Sequence, residues 1–206
     1  MQYFAWGINK PDVTDRRTEL IRQHWDFIAK YDDKLIARGP VMQADDLSAV
    51  IGSIHIVDLA DFSEIETFVY DEPFAKADLF KTIIVSRFRL ELGRTQFEYV
   101  SNPDSSRFFI YCPASKKHAI KTTELAANHI NYCNGFDDHF VCHGSLLSDE
   151  GDWQGNVYFM EFSNQKEAEE FIAKEPYATS ELYDDIEIFR WTMGGPENLN
   201  AAGALS

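Results

Sequence analysis

Apolar and polar positions alternate along the chain in two rhythms, and the whole succession of rhythms occurs twice. Gln2 to Gly7 (QYFAWG) is short and rich in aromatics, which predicts a strand. Thr14 stands as a predicted N-cap before a stripe in which Leu20, His24, Phe27, Ile28 and Tyr31 recur at the period of a helix. Lys34 to Arg38 (KLIAR) predicts a short strand that stops at a Gly39-Pro40 turn, and Gly52 to Leu59 (GSIHIVDL) alternates as a third strand. Ser63 and Glu66 have the Ser-x-x-Glu spacing of a capping box ahead of a second helix carrying Ile65, Phe68 and Val69, which Pro73 ends or interrupts. Ile83 to Leu90 (IIVSRFRL) predicts the fourth strand. The order β-α-β-β-α-β is the ferredoxin-like motif.

The same pattern returns 105 positions later. His24 falls on His129, Leu20 on Leu125, Phe27 on Tyr132, Tyr31 on Phe136 and Gly39 on Gly144. Further on the offset becomes 103, and Glu72-Pro73-Phe74 falls on Glu175-Pro176-Tyr177, with Arg87-Phe88 on Arg190-Trp191. One change of offset with this many agreements identifies a doubled domain, and a period near 100 residues excludes a solenoid. The expected boundaries are repeat one at 1–93, a linker at 94–106, repeat two at 107–193 and a loose tail at 194–206. Two helices on one face of a four-stranded sheet leave its other face bare, and an apolar sheet face needs a cover. The second repeat has a matching sheet. The expected fold is therefore α+β, two ferredoxin-like repeats packed sheet to sheet as an intramolecular pseudo-dimer. Whether it stays a monomer or assembles further into a homodimer is open.

Composition narrows the partners. The 206 residues carry a net charge of −15, which repels a phosphate backbone, so nucleic acid is not an expected partner. No apolar run approaches the roughly 18 residues that span a bilayer, so no membrane partner is expected either. The opening MQYFAWGINKPD lacks a basic region followed by a long apolar stretch, so it does not read as a signal peptide. Cys112, Cys133 and Cys142 are odd in number and lack framework spacing, which argues against a disulfide-stapled secreted domain and for the cytoplasm.

His24 and His129 both lie on apolar helix stripes. One reading is a core histidine satisfied by a single structural hydrogen bond. The other is a working residue, because an acid before proline recurs with each histidine, Glu72 with His24 and Glu175 with His129. A carboxylate on one imidazole nitrogen fixes the tautomer and leaves the other nitrogen for proton transfer. Asp33 is too far along the helix to serve, about 13 Å from His24 at about 1.5 Å per residue. Ser53, at the start of a strand, is a candidate to hold a substrate oxygen, and Asn156 is its counterpart in repeat two. Trp6, Trp25 and Phe74 are candidate walls for a flat ring if a pocket is present, and core residues otherwise. His129, Cys133, His139, Cys142 and His143 have ligand chemistry but poor spacing, so no metal is expected. No nucleotide-binding glycine pattern and no nucleophile elbow is present.

Arg22-Gln23-His24 in the first helix, Gly39-Pro40, Gly52-Ser53 opening a strand, and Glu72-Pro73-Phe74 together resemble the YCII (YciI-like) family. The resemblance covers nearly all of repeat one and, more weakly, repeat two. It implies a ferredoxin-like fold assembled as a dimeric α+β barrel, with a site built from a helix histidine and the acid of an acid-proline motif. One branch of the family removes chloride from a chlorinated hydroxyhydroquinone by acid-base chemistry without a cofactor, and related barrels include isomerases, monooxygenases and haem-binding enzymes. By this resemblance the chain is expected to act on a small molecule without a cofactor, by elimination or isomerisation. A non-catalytic binding or regulatory module of the same fold is the alternative. The motif acid is Glu in both repeats where the family usually has Asp. Repeat two also departs at Ala127 for Arg22, Ser145 for Pro40 and Asn156 for Ser53.

Overall fold

The computed structural model describes residues 1–44, 46–115 and 122–195. In the first half the elements are β1 (Gln2–Asn9), α1 (Thr14–Ile28), β2 (Leu35–Met42), β3 (Val50–Asp58), α2 (Phe62–Tyr70), the one-turn α3 (Pro73–Lys76) and β4 (Phe80–Leu90). In the second they are β5 (Ser106–Pro113), α4 (Thr122–Asn134), β6 (Phe140–Leu147), β7 (Trp153–Phe162), α5 (Gln165–Lys174), the one-turn α6 (Pro176–Thr179) and β8 (Glu187–Trp191). Each half is thus β-α-β-β-α-β with a short helical turn inserted before its last strand.

The eight strands close into one antiparallel barrel in the order β1-β3-β2-β8-β5-β7-β6-β4. Closure depends on the last strand of each half reaching across. β4 pairs with β1 over its first part and then with β6, from Arg87↔Leu147 to Leu90↔Gly144. β8 pairs with β5 and then with β2 through Val41↔Trp191 and Met42↔Arg190. Pairing every edge removes the open strands that invite aggregation.

The alternation along each strand decides which core a residue joins. Phe4, Trp6, Ile54 and Ile56 point into the barrel and meet Phe109, Val141, Phe159 and Trp191 of the other half. Phe109 stacks on Phe159 with centroids 5.0 Å apart and meets Trp6 edge-on at 5.2 Å. Such aromatic pairs add about 0.5–1.5 kcal/mol each beyond their burial. The odd-numbered neighbours Tyr3 and Ala5 point outward and pack with Ile28, Ile65, Phe68 and Val69 of the helices. The bare sheet faces expected from the sequence therefore cover each other.

Several local expectations are corrected. Thr14 is the first helical residue of α1 and not its cap; the cap position is Val13, with no side-chain bond. Gly39 and Pro40 do not turn the chain but continue β2, opposite Ile54 and Ser53. Gly39 is needed there because an added Cβ would overlap the Thr192 carbonyl oxygen of the crossing strand. The cap of α2 is Asp61, which accepts from Glu64 N at 3.1 Å, two residues before the Ser63–Glu66 spacing. Asp and Ser cap about equally well, and the earlier start also lets the Glu64 carboxylate accept from Ala60 N at 2.7 Å. The three cysteines are buried and free. Of the expected tail, Gly194 N donates to Arg38 O at 2.8 Å, while 196–206 lie outside the described residues.

Candidate functional site

Helix α1 lies on the outer face of the sheet, so the residues of β3 that alternate outward, Ser53 and His55, face it. Between them is a cavity of about 420 Å³ lined by Arg17, His24, Trp25, Arg38, Ser53 and His55, with apolar wall from Ile21, Leu47 and Val50. Gly194 and Gly195, arriving from the second half after β8, complete the rim. This volume lies in the range of small-molecule sites.

His24 is brought to the cavity by the buried stripe of α1, with Leu20 and Ile28 on the same face. Pro73 fixes the start of α3, and this makes Glu72 its N-cap. Glu72 accepts from Phe74 N and Ala75 N, each at 3.1 Å, and its Oε2 lies 2.8 Å from His24 Nδ1. Both groups are buried, with side chains 8% and 7% exposed. A carboxylate already accepting two backbone N–H groups is an acceptor toward the ring as well, which assigns the proton to Nδ1 and the lone pair to Nε2. Nε2 makes no hydrogen bond among the described residues. Burial lowers the His24 pKa below its ordinary value, against the opposing pull of Glu72. The imidazole is therefore neutral at neutral pH.

Arg17 enters the cavity from the first turn of α1. Its guanidinium donates to Ser53 Oγ at 2.9 Å and to Asn9 Oδ1 at 3.0 Å, and it forms no ion pair among the described residues. Burial lowers its pKa to about 10, which leaves it a cation. His55 is held well below its ordinary value, chiefly by burial, and is neutral. Arg38 pairs with Asp32 at 2.7 Å.

The second half repeats the pair and changes its surroundings. His129 Nδ1 lies 2.6 Å from Glu175 Oε1, Ala178 N donates to Glu175 at 2.9 Å, and Tyr177 stacks on the ring. Here a second acid is present. Glu91, following β4 from the first half, lies 3.4 Å from His129 Nε2 and accepts a short hydrogen bond from Ser145 Oγ. Burial alone opposes charge on both, but for Glu91 the hydrogen bonds from His129 and Ser145 prevail and lower it to about 2. For His129 the bonds to Cys133, Glu175 and Glu91 outweigh burial and push it up to about 12. The result is an imidazolium between two carboxylates.

Of the residues singled out in the sequence, His24, Ser53 and Trp25 line the cavity and Glu72 backs the histidine. His129 and Glu175 form the second pair. Trp6 lies inside the barrel and Phe74 lies fully buried beneath the His24 ring, so neither walls the cavity. Asn156 is fully buried and joins Trp153 Nε1 at 2.8 Å, Tyr183 Oη at 3.2 Å and Ser145 Oγ at 3.4 Å. Arg22 is exposed. Arg17, Arg38, His55 and Glu91 were not singled out. Arg17 lies two helical turns before His24 and so on its face, which is a signal the apolar stripe does not carry.

The pattern of the YCII-related domain family matches residues 1–89 and 106–192. No curated protein matches the chain. Among solved structures, the 5-chloro-2-hydroxyhydroquinone dehydrochlorinase of Burkholderia phenoliruptrix AC1100, in complex with 2,5-dihydroxybenzoquinone, is 26% identical with a TM-score of 0.41, covering 43% of this chain and 94% of its own. A mutant chlorite dismutase from Candidatus Nitrospira defluvii matches with a TM-score of 0.61 at 9% identity, over 99% of this chain and 96% of its own. An anthrone oxidase-like protein matches at 0.53 and 10% identity, over 94% and 90%. The last two share the fold.

Proposed function

The chain belongs to the YCII-related domain family in both halves, and on that premise we propose that it is a small-molecule enzyme working by acid-base chemistry at the first-half cavity. His24 Nε2 takes a proton from the substrate and returns it. Glu72 holds the ring in the tautomer that leaves Nε2 basic, and it stabilises the imidazolium formed on transfer. Ser53, held by Arg17, binds a substrate oxygen, and Trp25 lies along an aromatic or other flat body. Suitable reactions are eliminations and isomerisations of small aromatic or enolisable compounds. The observation that carries this reading is the 2.8 Å His24–Glu72 bond at the edge of a cavity large enough for such a compound. A positioned histidine typically contributes about 10²- to 10⁴-fold. Catalysis is assigned to the first half because the corresponding edge of His129 is taken by Glu91.

The test is a panel of hydroxyaromatic and enolisable compounds incubated with the protein in D2O and followed by NMR for proton exchange or loss of a leaving group. Turnover that disappears in a folded His24→Gln variant supports the reading. Turnover undiminished in that variant, or none across the panel, overturns it, and binding without turnover would make the protein a small-molecule binding module.

A further inference from the structure

The two halves present one site in two states. Glu91 N donates to His143 O at 3.0 Å, and Gly194 N donates to Arg38 O at 2.8 Å. His143 and Arg38 hold the same register position, opposite Tyr158 and His55 on the neighbouring strand. Glu91 and Gly194 are therefore equivalent, each reaching the other half's site after the crossing strand. Glu91 sends a carboxylate to His129 Nε2, Ser145 Oγ and within 3.8 Å of His143 Nδ1. Gly194 has no side chain, and the cavity of about 420 Å³ opens where that carboxylate would lie.

The charge of the first-half cavity fits what Glu91 supplies in the second. On a chain of net charge −15, the described cavity lining contains Arg17 and Arg38 and no Asp or Glu. Arg17 is only 7% exposed and has no carboxylate on it among the described residues. Glu72 attracts it without an ion pair and is already bonded to His24. A buried cation with no carboxylate in contact is costly, and an incoming anion lowers that cost. The wall beyond it is apolar and aromatic, from Ile21, Trp25 and Val50.

We propose that the first-half cavity is a site for a small carboxylate with an apolar body, its carboxylate seated on His24 Nε2 and beside Arg17 as Glu91 is seated on His129, and that Glu91 is a permanent internal occupant of the second site. This rests on the cavity being the ligand site, but not on turnover. The groups facing His24 are Glu72, His55, Arg17 and Arg38. The anion adds a second carboxylate to this set, so His24 gains a proton as the ligand binds.

The experiment is calorimetric titration of the whole chain with benzoate at pH 7.5, in two buffers of different ionisation enthalpy. One site per chain is expected, with uptake approaching one proton. Arg17→Met is expected to weaken binding roughly 10- to 100-fold, the worth of a hydrogen bond to a charged group. Glu91→Gly, which copies Gly194, is expected to add a second site, and Glu91→Ser serves if that variant does not fold. No binding at millimolar benzoate, binding indifferent to Arg17→Met, or binding without proton uptake would each overturn the proposal. The readout is heat and not turnover. A failed substrate panel therefore leaves a positive titration standing, and His24-dependent turnover without benzoate binding leaves the catalytic reading standing.

Discussion

Phe74 lies parallel beneath His24, with ring centroids 4.3 Å apart and planes 12° from parallel, and the Arg17 guanidinium lies 4.3 Å from the same Phe74 ring. One side chain thus sets the position of both the histidine and the buried cation. Phe74→Ala is expected to destabilise the fold by about 3–5 kcal/mol, the usual cost of emptying a buried aromatic site. Chemical denaturation measures it. A loss under about 1 kcal/mol would show that the ring is not the support described.

The pH profile expected under the proposed function follows from the state of His24. In that proposal the base is the neutral ring, and burial places its pKa below the ordinary 6.5 in spite of Glu72. Activity is therefore expected to hold at neutral pH and to fall only as the pH drops through a value below 6.5. Glu72→Gln is expected to reduce kcat by roughly 10²-fold with the fold retained. An acid limb centred above 6.5 would contradict the assignment.

The second half has the opposite signs. His129 is raised to about 12, so its contribution to stability is complete below the unfolded value of 6.5 and fades as the pH rises toward 12. Glu91 is lowered to about 2, so its contribution is complete above the unfolded 4.5 and is lost as the pH falls toward 2. The Tm difference between the native protein and Glu91→Gln is expected to be largest between these two unfolded values and to shrink on both sides. A difference independent of pH would refute the ion-pair account.

Gly39 and its counterpart Gly144 each meet the backbone of a crossing strand. An added Cβ would overlap Thr192 O at the first and Arg89 O at the second. Gly39→Ala is expected to cost about 1–3 kcal/mol or more, through overpacking at the β2–β8 seam. Hydrogen exchange should show the loss concentrated in β2 and β8. Uniform exchange changes across the barrel would argue against a local clash.

The duplication and the βαββαβ order were legible because period-2 and period-3.6 patterns repeat at a fixed offset. The His24–Glu72 pair was legible for the same reason, since histidine and acid-proline recur together. Whether Trp6 walls a pocket or joins the core was left open by its strand, because alternation gives two faces without saying which one the helices cover; it joins the barrel core. Arg17 was missed because a buried arginine looks like any polar residue on a helix until its neighbours are known. Glu91 was missed because its equivalent, Gly194, falls in a glycine-rich stretch with no apolar pattern.

The crossing of β4 and β8 carries a consequence for symmetry. In an assembly of two identical chains, any side chain that reached into the partner's site would do so twice, and both sites would change together. A covalent link between the halves breaks that bond. Glu91 fills the cleft beside one histidine while Gly194 leaves the cleft beside the other open, so the two clefts no longer have to change together.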